Sequence, residues 1–394
     1  MTVKNSDLWL TRWFYFLTLG GTGFIAPFLN LFYVRVGLSG TDIGIVAALG
    51  AIVALIAAPV WTSTNRQRLN SRALLQISLL LTALAYLWLG AQSTFLGIVI
   101  VATIRSLVGA GISPFSDSLA LSVTSARKLG FGNVRVWASM GWVIAVLSGG
   151  WIIERMGFGA AFAGVCAVML LGDLLLLPIA QEHFTRGKTS SPHPNRLATT
   201  LRAVLRNRAM VGVGAMVIVI GLANSGVAQF ETVYLSTLGA SDTLLGVAGI
   251  LSAVVEIPCM LWADRLVRKH GTHQLLLIAM GLIAFQRALV LLAPSILMIM
   301  LTRALGGLSF SFYVIGSTAF ISEETQPNET GTVLALFSVT LAGLVNIISA
   351  PLAGAAYDAF GARWLYAIAV GGYVLGWTCL RATRRVGMDT ATAR

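Results

Sequence analysis

The chain has 394 residues, of which 57% are hydrophobic and only 11% charged, against roughly 25% charged residues in an ordinary soluble domain. So few charges cannot cover a water-facing surface, which excludes a soluble enzyme or a nucleic-acid binder. The formal charge of +12 is first a topology signal, because basic residues gather in the cytoplasmic loops of polytopic membrane proteins.

In chain order, apolar windows of membrane-crossing length lie at about 12–33, 43–62, 73–92, 95–122, 134–154 and 158–181, then at 209–236, 244–263, 274–293, 296–322, 332–355 and 363–381. We number these twelve predicted helices spans 1 to 12. The run from Trp13 to Tyr33 is longer than a signal-peptide core and has no small-residue cleavage site after it, so an uncleaved first span is expected. Gln92-Ser93-Thr94 and Ala293-Pro294-Ser295 are the turn signals that separate spans 3 and 4 and spans 9 and 10. Cys166, Cys259 and Cys379 sit in apolar runs at no metal-ligand spacing and read as small buried hydrophobes. His183, His193, His270 and His273 read as polar-loop residues.

The longest polar stretch, Glu182 to Arg208, holds Arg186, Lys188, Arg196, Arg202 and Arg206. It is expected to be a cytoplasmic linker between an N-terminal six-helix bundle, 1–181, and a C-terminal one, 209–394. An even number of spans puts both termini on one side. With that side cytoplasmic, 20 Lys or Arg fall in tails and inward loops, three outside (Arg35, Arg155, Arg363) and four within spans, which fixes the orientation by the positive-inside rule.

Three features recur at about half the chain length. Span 2 enters through Thr41-Asp42 and leaves through Pro59 and Trp61; span 8 enters through Ser241-Asp242 and leaves through Pro258 and Trp262. Arg105 and Gly109 in span 4 match Arg303 and Gly307 in span 10. Gly150, Glu154 and Gly157 match Gly354, Asp358 and Gly361. The order and offset of the matches describe two parallel six-helix halves, the arrangement of major facilitator transporters, with a midplane site.

Intramembrane charges cost at least ~2.5 kcal/mol each and so face a cavity or a partner. The candidates are Arg105, Asp117, Arg135, Asp173, Glu231, Glu256, Arg287 and Arg303. Arg105 and Arg303, one turn before a glycine, are expected to act as structural charges that clamp neighbouring helices. Glu231, near the outer end of span 7, reads equally as a solvated end residue. Asp117 and Arg135 flank the loop between spans 4 and 5 at similar depth and are expected to pair, with Trp142 two turns above Arg135 on the same face. A carboxylate, a guanidinium and an indole suit a polar ligand with one apolar surface, such as a sugar or ribose ring. Glu256, in span 8 among Ala-Val-Val and Ile-Pro, is the first candidate for carrying a proton, with Arg287 as its counter-charge and Asp117 as the second carboxylate.

The run Phe131-Gly132-Asn133-Val134-Arg135, followed by Gly141-Trp142, resembles the span 5 signature of lactose permease and its relatives, with Asp117 at the position of their span 4 glutamate. The resemblance implies that Asp117, Arg135 and Trp142 are the hydroxyl-binding carboxylate, its arginine partner and the indole under the sugar ring. Ala26-Pro27-Phe28-Leu29 with Gly37-Leu38-Ser39, Glu256-Ile257-Pro258, and Leu352-Ala353-Gly354 with Tyr357-Asp358 extend the likeness over nearly the whole chain. They are similar to the branch that includes nucleoside and phenylpropionate permeases. The chain departs from lactose permease in span 10, which has neither its His nor its Glu, and in the first part of span 7, which lacks its paired acids.

The expected function is alternating-access transport of a small polar organic solute (a sugar, nucleoside or aromatic acid), coupled to protons, by a monomer in a bacterial inner membrane with both termini cytoplasmic. No cofactor, metal or nucleic acid is expected. Export of drugs or organic anions is the alternative. A polytopic membrane enzyme would need a reactive set such as His with Asp or a metal cluster, and no such set stands in the spans.

Overall fold

The computed structural model of the chain describes residues 5–64, 71–185, 202, 204–326 and 329–392. Most of the predicted linker, 186–201 and 203, lies outside the described residues. Among the described residues, eleven helical segments are long and apolar enough to cross a bilayer: Asn5–Arg35, Gly40–Trp61, Ser71–Gly90, Phe95–Ser125, Gly132–Met156, Phe158–Leu175, Arg208–Thr237, Asp242–Met260, Thr272–Leu292, Ile296–Glu323 and Thr330–Phe360. Ala362–Thr392 forms the helix of span 12. The fold is all-helical because hydrocarbon offers no partner to a backbone N–H or C=O, so each span must satisfy its own.

The turn signals become helix caps. Thr94 accepts a hydrogen bond from the Gly97 N–H at 3.2 Å and Ser295 one from the Met298 N–H at 3.2 Å. Asn207 accepts from the N–H groups of Ala209 and Met210 at 2.9 and 3.3 Å. Each gives the first turn of a span a partner for orphan donors. Two spans are irregular within. Span 1 passes from α-helix (Asn5–Tyr15) through a π turn (Phe16–Gly20) and two short 3-10 turns (Gly21–Phe24, Ala26–Phe28) before resuming at Leu29–Arg35, where clustered glycines and Pro27 weaken the α-helical ladder. Span 11 carries a π turn at Leu336–Leu341.

The chain divides into two compact units. The first comprises Met1–Leu38, Val46–Ser190 and Ser241–Ile250; the second comprises Ser39–Ile45, Ser191–Ala240 and Leu251–Arg394. Each therefore includes the opening turns of a helix, span 8 or span 2, from the other half of the sequence. The span ends remote from the chain termini are called distal below.

In the first unit, Leu75, Leu79, Leu119, Val134 and Leu176 surround Phe14 and Tyr15 in a buried core. Spans 1 and 5 cross at glycines: a Cβ on Gly20 would stand 2.7 Å from the Gly141 Cα, and one on Gly23 would stand 2.9 Å from the Trp142 carbonyl oxygen. Gly141 thus serves close helix packing. At the distal end, the Thr243 N–H donates to the Glu154 carboxylate at 2.8 Å, and Arg35 makes a two-pronged pair with Asp242 at 2.8 and 2.5 Å.

The second unit has its own core of Met210, Met216, Leu276, Met280 and Phe337. It repeats the distal device: Asp358 accepts from the N–H groups of Gly40 and Thr41 at 2.6 and 2.8 Å and from the Thr41 hydroxyl at 2.6 Å. The glycine-acid-glycine repeat is thereby explained. The acid caps the positive N-terminal end of span 8 or span 2. Gly150 and Gly354 let the two backbones touch, and Gly157 and Gly361, at φ of +82° and +79°, turn the chain into the next span.

Candidate functional site

A cavity of about 290 Å³ opens in the second unit between spans 7, 10 and 11. Its polar lining is neutral: Asn224, Ser225 and Gln229 from span 7, Tyr313 from span 10, and Asn346 and Ser349 from span 11, set against Val217, Ile220 and Val345. Gln229 donates to the Ser225 hydroxyl at 2.9 Å. The buried Asn224 Oδ1 finds no partner among the described residues. The π turn at Leu336–Leu341 directly precedes the span 11 part of the lining, a common association at functional sites. Amides and hydroxyls beside an apolar wall fit a ligand that hydrogen-bonds without needing a counter-ion.

Two residues beyond Gln229 stands Glu231, 9% exposed. Arg303 contacts one of its oxygens at 2.9 Å (Nε) and 2.8 Å (Nη2); Arg287 and the Tyr366 hydroxyl reach the other at 3.3 and 2.9 Å. Four spans meet on this carboxylate. One carboxylate and two guanidiniums leave the cluster a net charge of +1.

The expected pairing of Arg287 with Glu256 does not form among the described residues. Arg287 lies five residues from the distal end of span 9, whereas Glu256 lies fourteen residues into span 8, an offset of about 13 Å along the helices at 1.5 Å per residue. Glu256 is half-buried and makes no ion pair within 4.0 Å among the described residues. Its backbone carbonyl accepts from the Ser311 hydroxyl at 3.1 Å, and a Cβ on Gly307 would lie 2.7 Å from its N.

In the first unit Asp117 is half-buried and accepts from the Tyr15 hydroxyl at 2.8 Å and from the Ser113 hydroxyl at 3.5 Å. The expected pair with Arg135 is absent within 4.0 Å among the described residues. Tyr15, presented just before the π turn of span 1, occupies the carboxylate instead, and Arg135 is exposed in the first turn of span 5. Trp142 is half-buried above it. In the same signature segment Asn133 receives Arg12 at 2.8 Å through its side chain and at 3.3 Å through its carbonyl. Trp137 packs edge-on against Trp9 and Trp13 at 5.6 and 5.3 Å.

Arg105 donates to the Tyr86 hydroxyl at 3.3 Å and lies over the Tyr86 ring. Asp173 has one buried oxygen without a partner among the described residues. His183, read from the sequence as a loop residue, is instead 2% exposed, 3.6 Å from Asp7 and 3.1 Å from the Ser122 hydroxyl.

Reading the spans for charge alone missed the neutral cavity and Tyr15. The available signal was neutral polar side chains within otherwise apolar spans: Ser225 and Gln229 one turn apart, and Asn346 and Ser349 three residues apart.

Membrane-crossing helices, an internal repeat realised in matching capped crossings, and polar sites inside each unit define a multi-pass membrane transporter of the major facilitator class. The family model described as MFS_1 like family matches residues 8–368, and the chain belongs to that family. It is 27% identical over 335 residues to the maltose permease of Geobacillus stearothermophilus, covering 84% of this chain and 83% of that one. It is 24% identical over 360 residues to the multi-drug resistance efflux pump PmrA of Streptococcus pneumoniae, covering 86% of each. The crystal structure of the nucleoside transporter NupG superposes with a TM-score of 0.81 at 16% identity, over 96% of this chain and 99% of that one. The protein is accordingly a transporter and not an enzyme.

Proposed function

We propose that the protein moves a small polar organic solute, a sugar, nucleoside or aromatic acid, across the bacterial inner membrane by alternating access, as a monomer with both termini cytoplasmic. The observation that carries the reading is the cavity of about 290 Å³ with its neutral amide and hydroxyl lining. Maltose permease and NupG, whose names state a sugar and a nucleoside cargo, support it. Asp117, held by Tyr15 and Ser113, supplies a second set of hydroxyl-recognising groups in the first unit, with Trp142 and Arg135 above and below it on span 5.

The transport is proton-coupled, with Glu256 as the carrier. Glu231 is unsuited to the task, because two guanidiniums and a phenol already occupy its oxygens. Glu256 has no such partners among the described residues and sits where two backbones touch. Asp117 is the second candidate.

Purified protein in vesicles with an inside-alkaline pH gradient, offered radiolabelled maltose, uridine or benzoate, tests both parts. Accumulation of one of them is expected to fall about tenfold in Asn224→Leu, the effect of one buried hydrogen bond. Glu256→Gln is expected to lose uphill accumulation while exchange of preloaded solute continues. Failure of the wild-type protein to move any of the three would sink the carrier reading. Unchanged accumulation in Glu256→Gln would pass the coupling role to Asp117.

A further inference from the structure

The two units contain corresponding distal clusters that differ in the charged groups they hold. Arg105 and Arg303 share the Arg-x-x-x-Gly spacing of the repeat. Tyr86 and Arg287 each stand fifteen residues after the first residue of their helices, Ser71 and Thr272. In the second unit this position is completed by Glu231, which binds both guanidiniums. In the first unit no carboxylate reaches Arg105 within 4.0 Å among the described residues, and its electrostatic neighbours are the hydroxyls of Tyr86 and Tyr33.

Beyond the Arg105 bond to Tyr86, donors in this part of the unit lack an acceptor. Among the described residues the Arg105 Nε has no hydrogen-bond partner, and neither does the Tyr33 hydroxyl, on a residue only 2% exposed. Thr82, one turn before Tyr86 on span 3, has a buried hydroxyl that is also unpartnered among the described residues. An intramembrane cation is normally matched by a partner, and a buried donor left unmade is costly. Each cluster carries one cation in excess, but in the second unit both guanidiniums touch a carboxylate, whereas Arg105 touches none among the described residues. A water could accept from the hydroxyls but brings no charge.

The geometry points to a binding site for one negatively charged group in the first unit, centred on Arg105 with Tyr33 and Tyr86. Its occupant is the carboxylate of an organic solute or a free inorganic anion such as chloride, two sources with the same chemistry. In the first case the inference rests on the carrier reading above and selects the aromatic acid among its solutes, its carboxylate at Arg105; in the second it stands without it.

Thermal unfolding of the purified full chain in detergent and anion-poor buffer tests it, with benzoate, its neutral counterpart benzamide, and chloride as probes. A ligand that binds only the native state raises the midpoint. Benzoate or chloride is expected to raise it and benzamide not, and the effective anion identifies the source. Tyr33→Phe, which keeps the charge, is expected to weaken the apparent Kd about tenfold, the effect of one hydrogen bond to a charged group, and Arg105→Gln to abolish the shift. A second comparison needs no ligand. Arg105→Met in anion-poor buffer is expected to raise the midpoint by removing an unmatched cation, whereas Arg303→Met lowers it by loosening a matched one. A wild-type midpoint indifferent to both anions, an equal shift in Arg105→Gln, or a midpoint lowered in Arg105→Met as in Arg303→Met would overturn the proposal. Vesicle uptake of the neutral probes is scored separately, so a failed carrier reading shows as absent transport of every solute, whatever the anions do.

Discussion

Glu231 is the carboxylate on which three other spans of the second unit converge, since its two oxygens serve Arg287, Arg303 and Tyr366. Removing its charge strands two guanidiniums at once, whereas removing either arginine leaves the carboxylate one cation. Glu231→Gln is therefore expected to cost about 3–5 kcal/mol, the range for breaking a buried pair from one side. Arg287→Gln should cost less, and Tyr366→Phe about 1 kcal/mol for one hydrogen bond. Denaturation midpoints of the four proteins in one detergent give the order. Arg287→Gln proving as damaging as Glu231→Gln would show that the carboxylate is not the centre of the cluster. The sequence exposed Glu231, Arg287 and Arg303 as intramembrane charges but not their pairing. Pairing depends on the direction in which each helix face points and on which helices adjoin, and a lone chain pattern carries neither. For the same reason Asp117 was legible as a polar centre in span 4, while its partner, Tyr15, was hidden in a stretch that reads as an ordinary aromatic span.

At the scale of the helices, close packing rests on where a side chain would not fit. The Gly141 position is filled by the Phe16 carbonyl of span 1, so any Cβ there forces backbone away from backbone. Gly343, also inside a helix, has nothing within 4 Å of the corresponding position. Gly141→Ala is expected to lower the unfolding midpoint and expression, because overpacking costs typically about 1–3 kcal/mol. Gly343→Ala is expected to be neutral or to stabilise by up to about 1 kcal/mol through helix propensity. Equal effects of the two substitutions would mean that the crossing of spans 1 and 5 tolerates separation. The glycine-acid-glycine repeat was legible as a spacing, and Thr94 and Ser295 as turn residues, because caps are local in sequence. What Glu154 and Asp358 cap was not legible, because Thr243 and Thr41 are remote in the chain. The π turns of spans 1 and 11 likewise left no mark in hydropathy, which registers how apolar a stretch is and not how tightly it winds.

Across the whole chain the membrane itself made the architecture readable: a bilayer demands about 20 apolar residues per crossing, and every predicted window has a helix over it. The neutral cavity was not readable in this way, since an amide shifts hydropathy without registering as a charge. Orientation follows from a different force. With 20 basic residues in the tails and inward loops and three outside, the side carrying the termini is expected to stay in the cytoplasm, because translocating short Lys- and Arg-rich segments is disfavoured. The three free cysteines, Cys166, Cys259 and Cys379, are replaced first, and a single cysteine is then placed at Ser93, in the turn between spans 3 and 4, or at Ser190, in the part of the linker outside the described residues. A membrane-impermeant thiol reagent applied to intact cells is expected to label position 93 and to reach position 190 only after the membrane is opened. Adding four or more lysines next to Ser93 would narrow the charge asymmetry locally and should reduce labelling at that site, since the rule acts through residues close to the span ends. Labelling of position 190 in intact cells would reverse the orientation and put the distal caps on the cytoplasmic face.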